Sequence, residues 1–305
     1  MSEHSNEHSN EHSNDSNDSN DSNDTNEQRN RQSNGQNNEQ RDEQRNGQTS
    51  EQTSEQQNEQ ADARRNASTI ALVTGANKGI GYEIAAGLGA LGWQVGVGAR
   101  NEEAREGAVA KLRAAGVDAF GVPLDVTDDA SVAAAAALVE ERAGRLDVLV
   151  NNAGITGGMR QLPTSVDVTA VRAAVETNVI GVIRVTNAML PLLRRSASPR
   201  IVNMSSSVGS LTRQSTPGAE VGPIAVAYAP SKTFLNAVTV QYAKELSDTN
   251  ILVNAGCPGY CATDLNGFRG VRTPEQGAAI AIRLATLPDS GPTGGFFDDE
   301  GVVPW

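Results

Sequence analysis

An α/β fold built on a doubly wound parallel sheet is what this sequence predicts, and three observations predict it. From residue 69 onward, apolar runs of strand length alternate with helical patterns of roughly 10–15 residues. A glycine-rich turn, Thr74-Gly75-Ala76-Asn77-Lys78-Gly79-Ile80-Gly81, joins the first apolar run to the first helix. Polar residues then collect where successive strands end. Strands alternating with helices of that length form crossover units, and right-handed crossovers place helices on both faces of a parallel sheet. Ligands of such sheets bind beyond the carboxyl ends of the strands, so the polar residues mark one functional rim.

Each element follows from its own pattern. Residues 69–74 read as the first strand and 79–92 as the first helix. Trp93–Ala99 is the second strand, ending at Arg100; 101–115 is a charged, alanine-rich helix closed by Gly116. Residues 118–124 form the third strand, which runs out through Asp125 and Val126; Asp128 then caps a helix reaching to about Arg142. Asp147–Asn151 is the fourth strand and leads into Asn152-Ala153-Gly154. Two helices are expected over 166–178 and 180–195, a fifth strand over Arg200–Ser205, and a long helix over 227–247. Ile251–Ala255 is the sixth strand, 274–287 a helix with Thr273 as cap and Pro274 at its first position, and Gly294–Asp298 a short last strand. The expectation is one doubly wound domain, residues 67–305.

Residues 1–66 differ in kind. They repeat Glu-His-Ser-Asn, Asp-Ser-Asn and Glu-Gln-Arg-Asn-like units with almost no apolar residue. Such a segment cannot bury enough surface to offset its ordering entropy, so a disordered acidic low-complexity tail is expected. It carries a net charge of −9 out of −12, leaving only −3 on residues 67–305. No basic patch calls for a nucleic-acid partner. All three histidines, His4, His8 and His12, lie in the tail. The folded part therefore has none, which excludes Ser-His-Asp hydrolysis and His-ligated metal chemistry there. Cys257 and Cys261 make neither a disulfide framework nor a zinc site and read as reduced thiols. The start of the chain is not a signal peptide, and no apolar run approaches the roughly 18–20 residues of a membrane helix. A cytoplasmic protein is expected.

The chemistry lies on the rim. In the glycine turn, Gly75 allows a tight bend, Gly79 lets the backbone approach a pyrophosphate, and Gly81 lets the helix pack closely. Helix-start amides then face the phosphates. Tyr228 and Lys232 stand at i and i+4, on one helix face. A nearby ammonium lowers a phenol's pKa from its usual value near 10, so the pair is expected to work as an acid/base. Ser206 ends the preceding strand, and Ser205 and Ser207 compete with it for any role.

These motifs, in this order, resemble the classical short-chain dehydrogenase/reductase family: Thr74-Gly75-x-x-x-Gly79-Ile80-Gly81, Asn151-Asn152-Ala153-Gly154, Ser206, Tyr228-x-x-x-Lys232 and Pro258-Gly259. The resemblance covers about residues 69–305 and implies a Rossmann-type fold. It implies that Tyr228 exchanges a proton with the substrate oxygen. Lys232 would lower the tyrosine's pKa and bond the nicotinamide ribose, Ser206 would hold the carbonyl oxygen, and Asn178 would hold a relay water through a helix irregularity. Gly75, Asn77, Lys78, Gly79, Ile80 and Gly81 would cradle the cofactor phosphates. Asp125 and Val126 would contact adenine, and Asn152, Ala153 and Gly154 the adenosine side. Pro258, Gly259 and Thr263 would sit near the nicotinamide. Asn254-Ala255-Gly256-Cys257-Pro258-Gly259-Tyr260, Thr263-Asp264 and the ending Gly291–Phe297 resemble the carbonyl-reductase-like branch. The chain departs from that branch in lacking its long insertion before the catalytic tyrosine: Ser206 and Tyr228 are 22 residues apart.

Arg100 ends the second strand where an NAD-preferring site places an acid, and Lys78 adds a cation, so NADP(H) is expected over NAD. Glu102 and Glu103 stand nearby. The function so implied is NADPH-dependent reduction of an aldehyde or ketone to an alcohol, with a small-molecule carbonyl or alcohol as partner and monomer or homo-oligomer left open. The alternative is a catalytically silent NADP-binding sensor or scaffold on the same fold.

Overall fold

A computed structural model describes residues 69–158, 161–219 and 222–305. The tail expected over 1–66 lies outside the described residues. All described residues belong to one compact unit.

The strands are β1 Ile70–Thr74, β2 Gln94–Ala99, β3 Ala119–Pro123, β4 Val148–Asn151, β5 Arg200–Met204, β6 Leu252–Gly256, β7 Phe296–Asp298 and β8 Gly301–Val302. The helices are α1 Gly79–Ala90, α2 Glu102–Ala114, α3 Asp129–Ala143, α4 Val168–Val175, α5 Gly181–Leu193, α6 Leu211–Ser215, α7 Tyr228–Glu245 and α8 Pro274–Ala285. The strands form one eight-stranded sheet in the order β3-β2-β1-β4-β5-β6-β7-β8. Every pairing is parallel except β7 with β8.

Alternation along each strand fills both faces, as a sheet covered on two sides requires. In β1, Ala71 and Val73 pack with Ile84 and Leu88 of α1, Leu112 of α2 and Leu284 of α8. Ile70 and Leu72 point the other way, to Val139 of α3, Met189 of α5 and Leu246 after α7. Leu72 has no solvent exposure; truncating such a side chain to alanine costs about 2–5 kcal/mol. The local signals act as expected. Asp128 accepts from Ser131 N at 2.6 Å to start α3, and Gly144 ends it in a left-handed conformation. Thr273 and Gln276 form a capping box at α8, with Pro274 at its start.

Three differences from the sequence expectation have physical causes. The helices expected over 166–178 and 180–195 are one run from Val168 to Leu193, because Glu176–Ile180 winds as a π turn instead of breaking. Residues 211–215 form a short helix, started by Ser210, whose hydroxyl accepts from Arg213 N. β8 folds back antiparallel on β7, too short for a periodic signal.

Topology places the site. The chain steps outward from β1 to β3, then returns to β4 on the other side of β1. The crevice opens where those two windings part, beyond the ends of β1 and β4. No helix among the described residues is long and apolar enough to cross a membrane.

Candidate active site

The crevice is stitched by Thr74. Its hydroxyl accepts from Asn152 N and Ala153 N, both at 3.0 Å, and Asn152 Nδ2 donates to Thr74 O at 2.9 Å. Asn152 and Ala153 are thereby fixed against the glycine turn. Gly75 has φ +66°, and a Cβ there would lie 3.0 Å from Ala153 Cα. A Cβ at Gly81 would lie 2.4 Å from both Asn152 Nδ2 and Gly75 O. The turn is thus a cradle that side chains would fill. Asn77 and Ile80 belong to the same turn, Asn77 partly buried with Lys78 exposed beside it, and Ile80 partly buried. No side chain caps α1 at Lys78, so the helix-start amides keep donors for an anion. These residues fit the pyrophosphate of a dinucleotide.

The opposite end of the crevice holds Asp125, Val126 and Arg100. Asp125 accepts from Thr127 N at 3.0 Å and from Thr127 Oγ1 at 2.7 Å. These bonds, and then the Arg100 guanidinium, hold its carboxyl below the usual range. Arg184 donates to Val126 O at 2.7 Å, anchoring that strand exit to α5. Arg100 is exposed at the end of β2. The structure gives Lys78 a partner that the sequence did not anticipate: it pairs with Asp264, both side chains half-exposed or more. Thr263 packs on the turn, its Cγ2 lying 3.4 Å from where a Cβ of Gly79 would stand. Pro258 lies beside Ile80 against Gly277 of α8, and Gly259 (φ +75°) lies against Arg272.

Asn178, Ser206, Tyr228 and Lys232 come together from the π turn, the exit of β5 and the start of α7. Asn178 sits in the π turn with no exposure. Its side chain accepts from Ile155 N and donates to Ile155 O, each at 2.8 Å, and donates to Ser231 Oγ at 2.9 Å. Ser231 Oγ in turn donates to Tyr228 O at 2.7 Å. Gly154 lies between Asn178 and Lys232: its Cβ would stand 3.2 Å from Asn178 Oδ1 and 3.7 Å from Lys232 Nζ. Lys232 is 4 % exposed, donates to Met204 O at 2.7 Å, and has Nζ 5.7 Å from the Tyr228 ring centre.

The three serines separate. Ser205 is buried and donates to Asn236 Oδ1 at 2.6 Å. Ser207 begins a short 3-10 turn. Ser206 shares a side-chain hydrogen bond with Tyr228.

The electrostatics differ from the sequence expectation. Tyr228 keeps some exposure as a residue, but its hydroxyl is enclosed. Burial pushes its pKa up to about 12, against the lowering by Ser206. Burial likewise pulls Lys232 down to about 8. Lys232 is not among the groups that shift Tyr228 here. Desolvation disfavours both charged forms, and the ammonium is directed to Met204 O instead of the phenol. Sequence reasoning gave no role to Thr74, though it opens the glycine-turn motif, nor to Ile155, Ser231 and Met204. Ser231 stands between Tyr228 and Lys232 in the helix, and its position one turn from Tyr228 was the available signal; the other contacts use backbone atoms or a strand-end hydroxyl.

The short chain dehydrogenase family model matches residues 69–271. The chain belongs to the classical short-chain dehydrogenase/reductase family. Its members are oxidoreductases, and this chain is 33% identical over 275 residues to carbonyl reductase [NADPH] 1 of Mus musculus, covering 77% of this chain and 98% of the relative. It is 34% identical over 306 residues to (−)-isopiperitenone reductase of Mentha piperita, covering 76% and 97%. Among solved structures, a variant of actinorhodin polyketide ketoreductase with NADPH is similar at a TM-score of 0.67 and 33% identity, covering 77% of this chain and 96% of that one.

Proposed function

We propose that this chain reduces an aldehyde or ketone to an alcohol with NADPH, Tyr228 acting as general acid. The observation that carries the reading is the Ser206–Tyr228 hydrogen bond, with the tyrosine held protonated at a pKa of about 12 beside a buried lysine. Two hydroxyls on one side of a carbonyl oxygen stabilise the charge that develops there. A protonated tyrosine can then deliver its proton to that oxygen. Lys232 and Asn178, on either side of Gly154, would position the ribose and relay the proton. Bound NADPH would supply the hydride. The glycine turn, Asn152, Ala153 and Gly154 would hold the cofactor, with Asp125 and Val126 at the adenine and Pro258, Gly259 and Thr263 at the nicotinamide end. Preference for the 2′-phosphate rests on exposed Arg100 at the end of β2 and on Lys78. Glu102 and Glu103 instead occupy the first turn of α2 behind the Asn101 cap. The similarity to an NADPH-named carbonyl reductase and to a polyketide ketoreductase solved with NADPH supports the same cofactor.

The test is NADPH consumption over a panel of aldehydes, ketones and quinones, with NADH alongside and Tyr228→Phe as control. Turnover that vanishes in the variant, while the variant still binds NADPH, is expected. Tight NADPH binding without any turnover would replace this reading with that of a silent nucleotide sensor.

A further inference from the structure

The face of the sheet that carries α5 and α7 is largely apolar. Leu149 of β4 and Ile201 of β5 pack there with Val185 and Met189 of α5 and Ala243 of α7. Two residues further along each strand the same face turns polar. Asn151 and Asn203 stand side by side in register, and strand alternation sends their side chains the same way as Leu149 and Ile201. Asn151 Nδ2 donates to Asn203 Oδ1 at 2.9 Å and to Thr186 Oγ1 of α5 at 3.1 Å. Asn203 Nδ2 donates to Thr239 Oγ1 of α7 at 2.9 Å, and Thr239 Oγ1 donates to Leu235 O at 2.8 Å. Thr186, Asn203 and Thr239 have no solvent exposure, and Asn151 has 3%. One buried chain of hydrogen bonds thus runs from α5 across two strands to α7.

Its place along the helices gives it a consequence for the site. Thr186 lies about two turns beyond Asn178, and Thr239 about two turns beyond Lys232. At the site itself the two helical runs are already joined, by the bond from Asn178 Nδ2 to Ser231 Oγ at 2.9 Å. One joint leaves a pivot; two joints, two turns apart, fix the angle between the helices as well as their distance. Stability alone does not call for a polar chain here, since well-packed apolar side chains of similar volume often hold a buried site as well or better. Apolar contact is non-directional, whereas hydrogen bonds set the rotation and slide of each helix. Asn236, on the same face of α7, is held twice, by Ser205 Oγ and by Gly209 O, so losing one of these bonds leaves it in place. Among the described residues, Asn203 is the one sheet residue bonded to Thr239.

We infer that Asn203 and Thr239 are positioning residues for the reaction. The chain Thr186–Asn151–Asn203–Thr239 sets the angle between α5 and α7, and so where Tyr228 and Lys232 stand relative to Asn178. The inference rests on the reductase reading above and adds to it two buried residues that act through α7.

The test compares full-length variants with the wild type, by steady-state kinetics with NADPH and the best carbonyl of the panel and by thermal unfolding. The double variant Asn203→Leu/Thr239→Val replaces both partners with apolar groups of nearly the same shape, which costs little stability. Its Tm is expected close to that of the wild type, while kcat falls by roughly 10–10²-fold, the scale of a misplaced catalytic group. Neither KM should change much, as when an interaction expressed in the transition state is lost. Thr239→Ser keeps the hydroxyl and should keep kcat; Thr239→Val should not. Tyr242→Phe is the control: it removes the exposed bond from Tyr242 Oη to Asn187 Oδ1 at 2.7 Å, which joins the same two helices. Water replaces an exposed bond, so kcat should hold there. Wild-type kcat in the double variant overturns the inference and leaves the reductase standing. An equal loss of kcat in Tyr242→Phe also overturns it, because any loosening between the helices would then suffice. Where the double variant fails to fold, Thr239→Val against Thr239→Ser decides, and equal kcat in the two overturns the inference. Absence of turnover in the wild type with every carbonyl overturns the reductase reading and this inference together.

Discussion

Ser205 and Ser206 are neighbours in the chain with opposite surroundings, and single substitutions should separate them. Ser205→Ala leaves buried Asn236 Oδ1 without its donor, a loss of about 1–3 kcal/mol in stability with kcat largely kept. Ser206→Ala removes the hydroxyl bonded to Tyr228 and should lower kcat by roughly 10²–10³-fold at nearly unchanged Tm. The reverse pattern would move the catalytic assignment to Ser205. Lys232 gives a second test, through pH. Its folded pKa of about 8 lies below the ordinary value of 10.5, so between these values the unfolded chain binds more protons. Its contribution to stability therefore rises with pH across that window. For Tyr228 the proton is retained up to about 12 instead of 10.0, and that contribution falls with pH between the two. In the cofactor-free protein, the Tm of Lys232→Met relative to wild type should fall steadily from about pH 8 to about pH 10, and a flat difference would rule out the lowered lysine pKa. The Tyr228–Lys232 pairing was legible because i and i+4 share a helix face. The pKa values were not, because they depend on what buries the pair, and residues brought there from β5 and the π turn are distant in sequence.

At the scale of elements, the irregular pieces do the positioning. The π turn places Asn178 against Ile155 and Ser231, where an unbroken α-helix would shift every later side chain around the axis. Its existence was visible only through the family resemblance, since apolar periodicity cannot register one extra residue in a helix. The segment after Ser206 is held from two sides. Toward α7, Asn236 Nδ2 donates to Gly209 O at 3.2 Å, and a Cβ on Gly209 would lie 3.0 Å from Lys232 Cβ. On the other side, Ser210 Oγ donates to Pro304 O at 2.5 Å and Thr212 N to Trp305 O at 2.9 Å. Trp305 stacks on Phe296 with ring centres 5.5 Å apart, and Val303 is buried beneath. Residues 296–305 thus strap α6 in place beside the segment that carries Ser206. Trp305→Ala loses a stacked aromatic pair, worth about 0.5–1.5 kcal/mol beyond its buried area, and frees one wall of the site. It should lower Tm modestly and raise KM more than it changes kcat. A lower Tm with unaltered KM would show the strap to be structural only.

For the molecule as a whole, the parallel sheet and the position of its rim followed from alternation alone, since each crossover had to be right-handed and each parallel strand covered on both faces. What alternation could not give is the pairing of distant loops, such as Lys78 with Asp264, because surface charges carry no periodic signal. The same reasoning separates residues 1–66 from the catalytic fold. They hold most of the net charge, −9 of −12, and all three histidines, yet almost no apolar side chain with which to join the core. The catalytic and cofactor-binding residues named under the proposed function lie between Gly75 and Thr263, and the strap that supports the site ends at Trp305. Deleting residues 1–66 should therefore leave kcat, KM and Tm of the reductase within error, while raising the isoelectric point above the full chain's 4.8. Solubility near that pH, where the full chain loses its net charge, is where the deletion should tell. A large loss of turnover or stability in the shortened chain would mean that the acidic tail makes contacts with the catalytic domain, and the two would have to be treated as one functional unit.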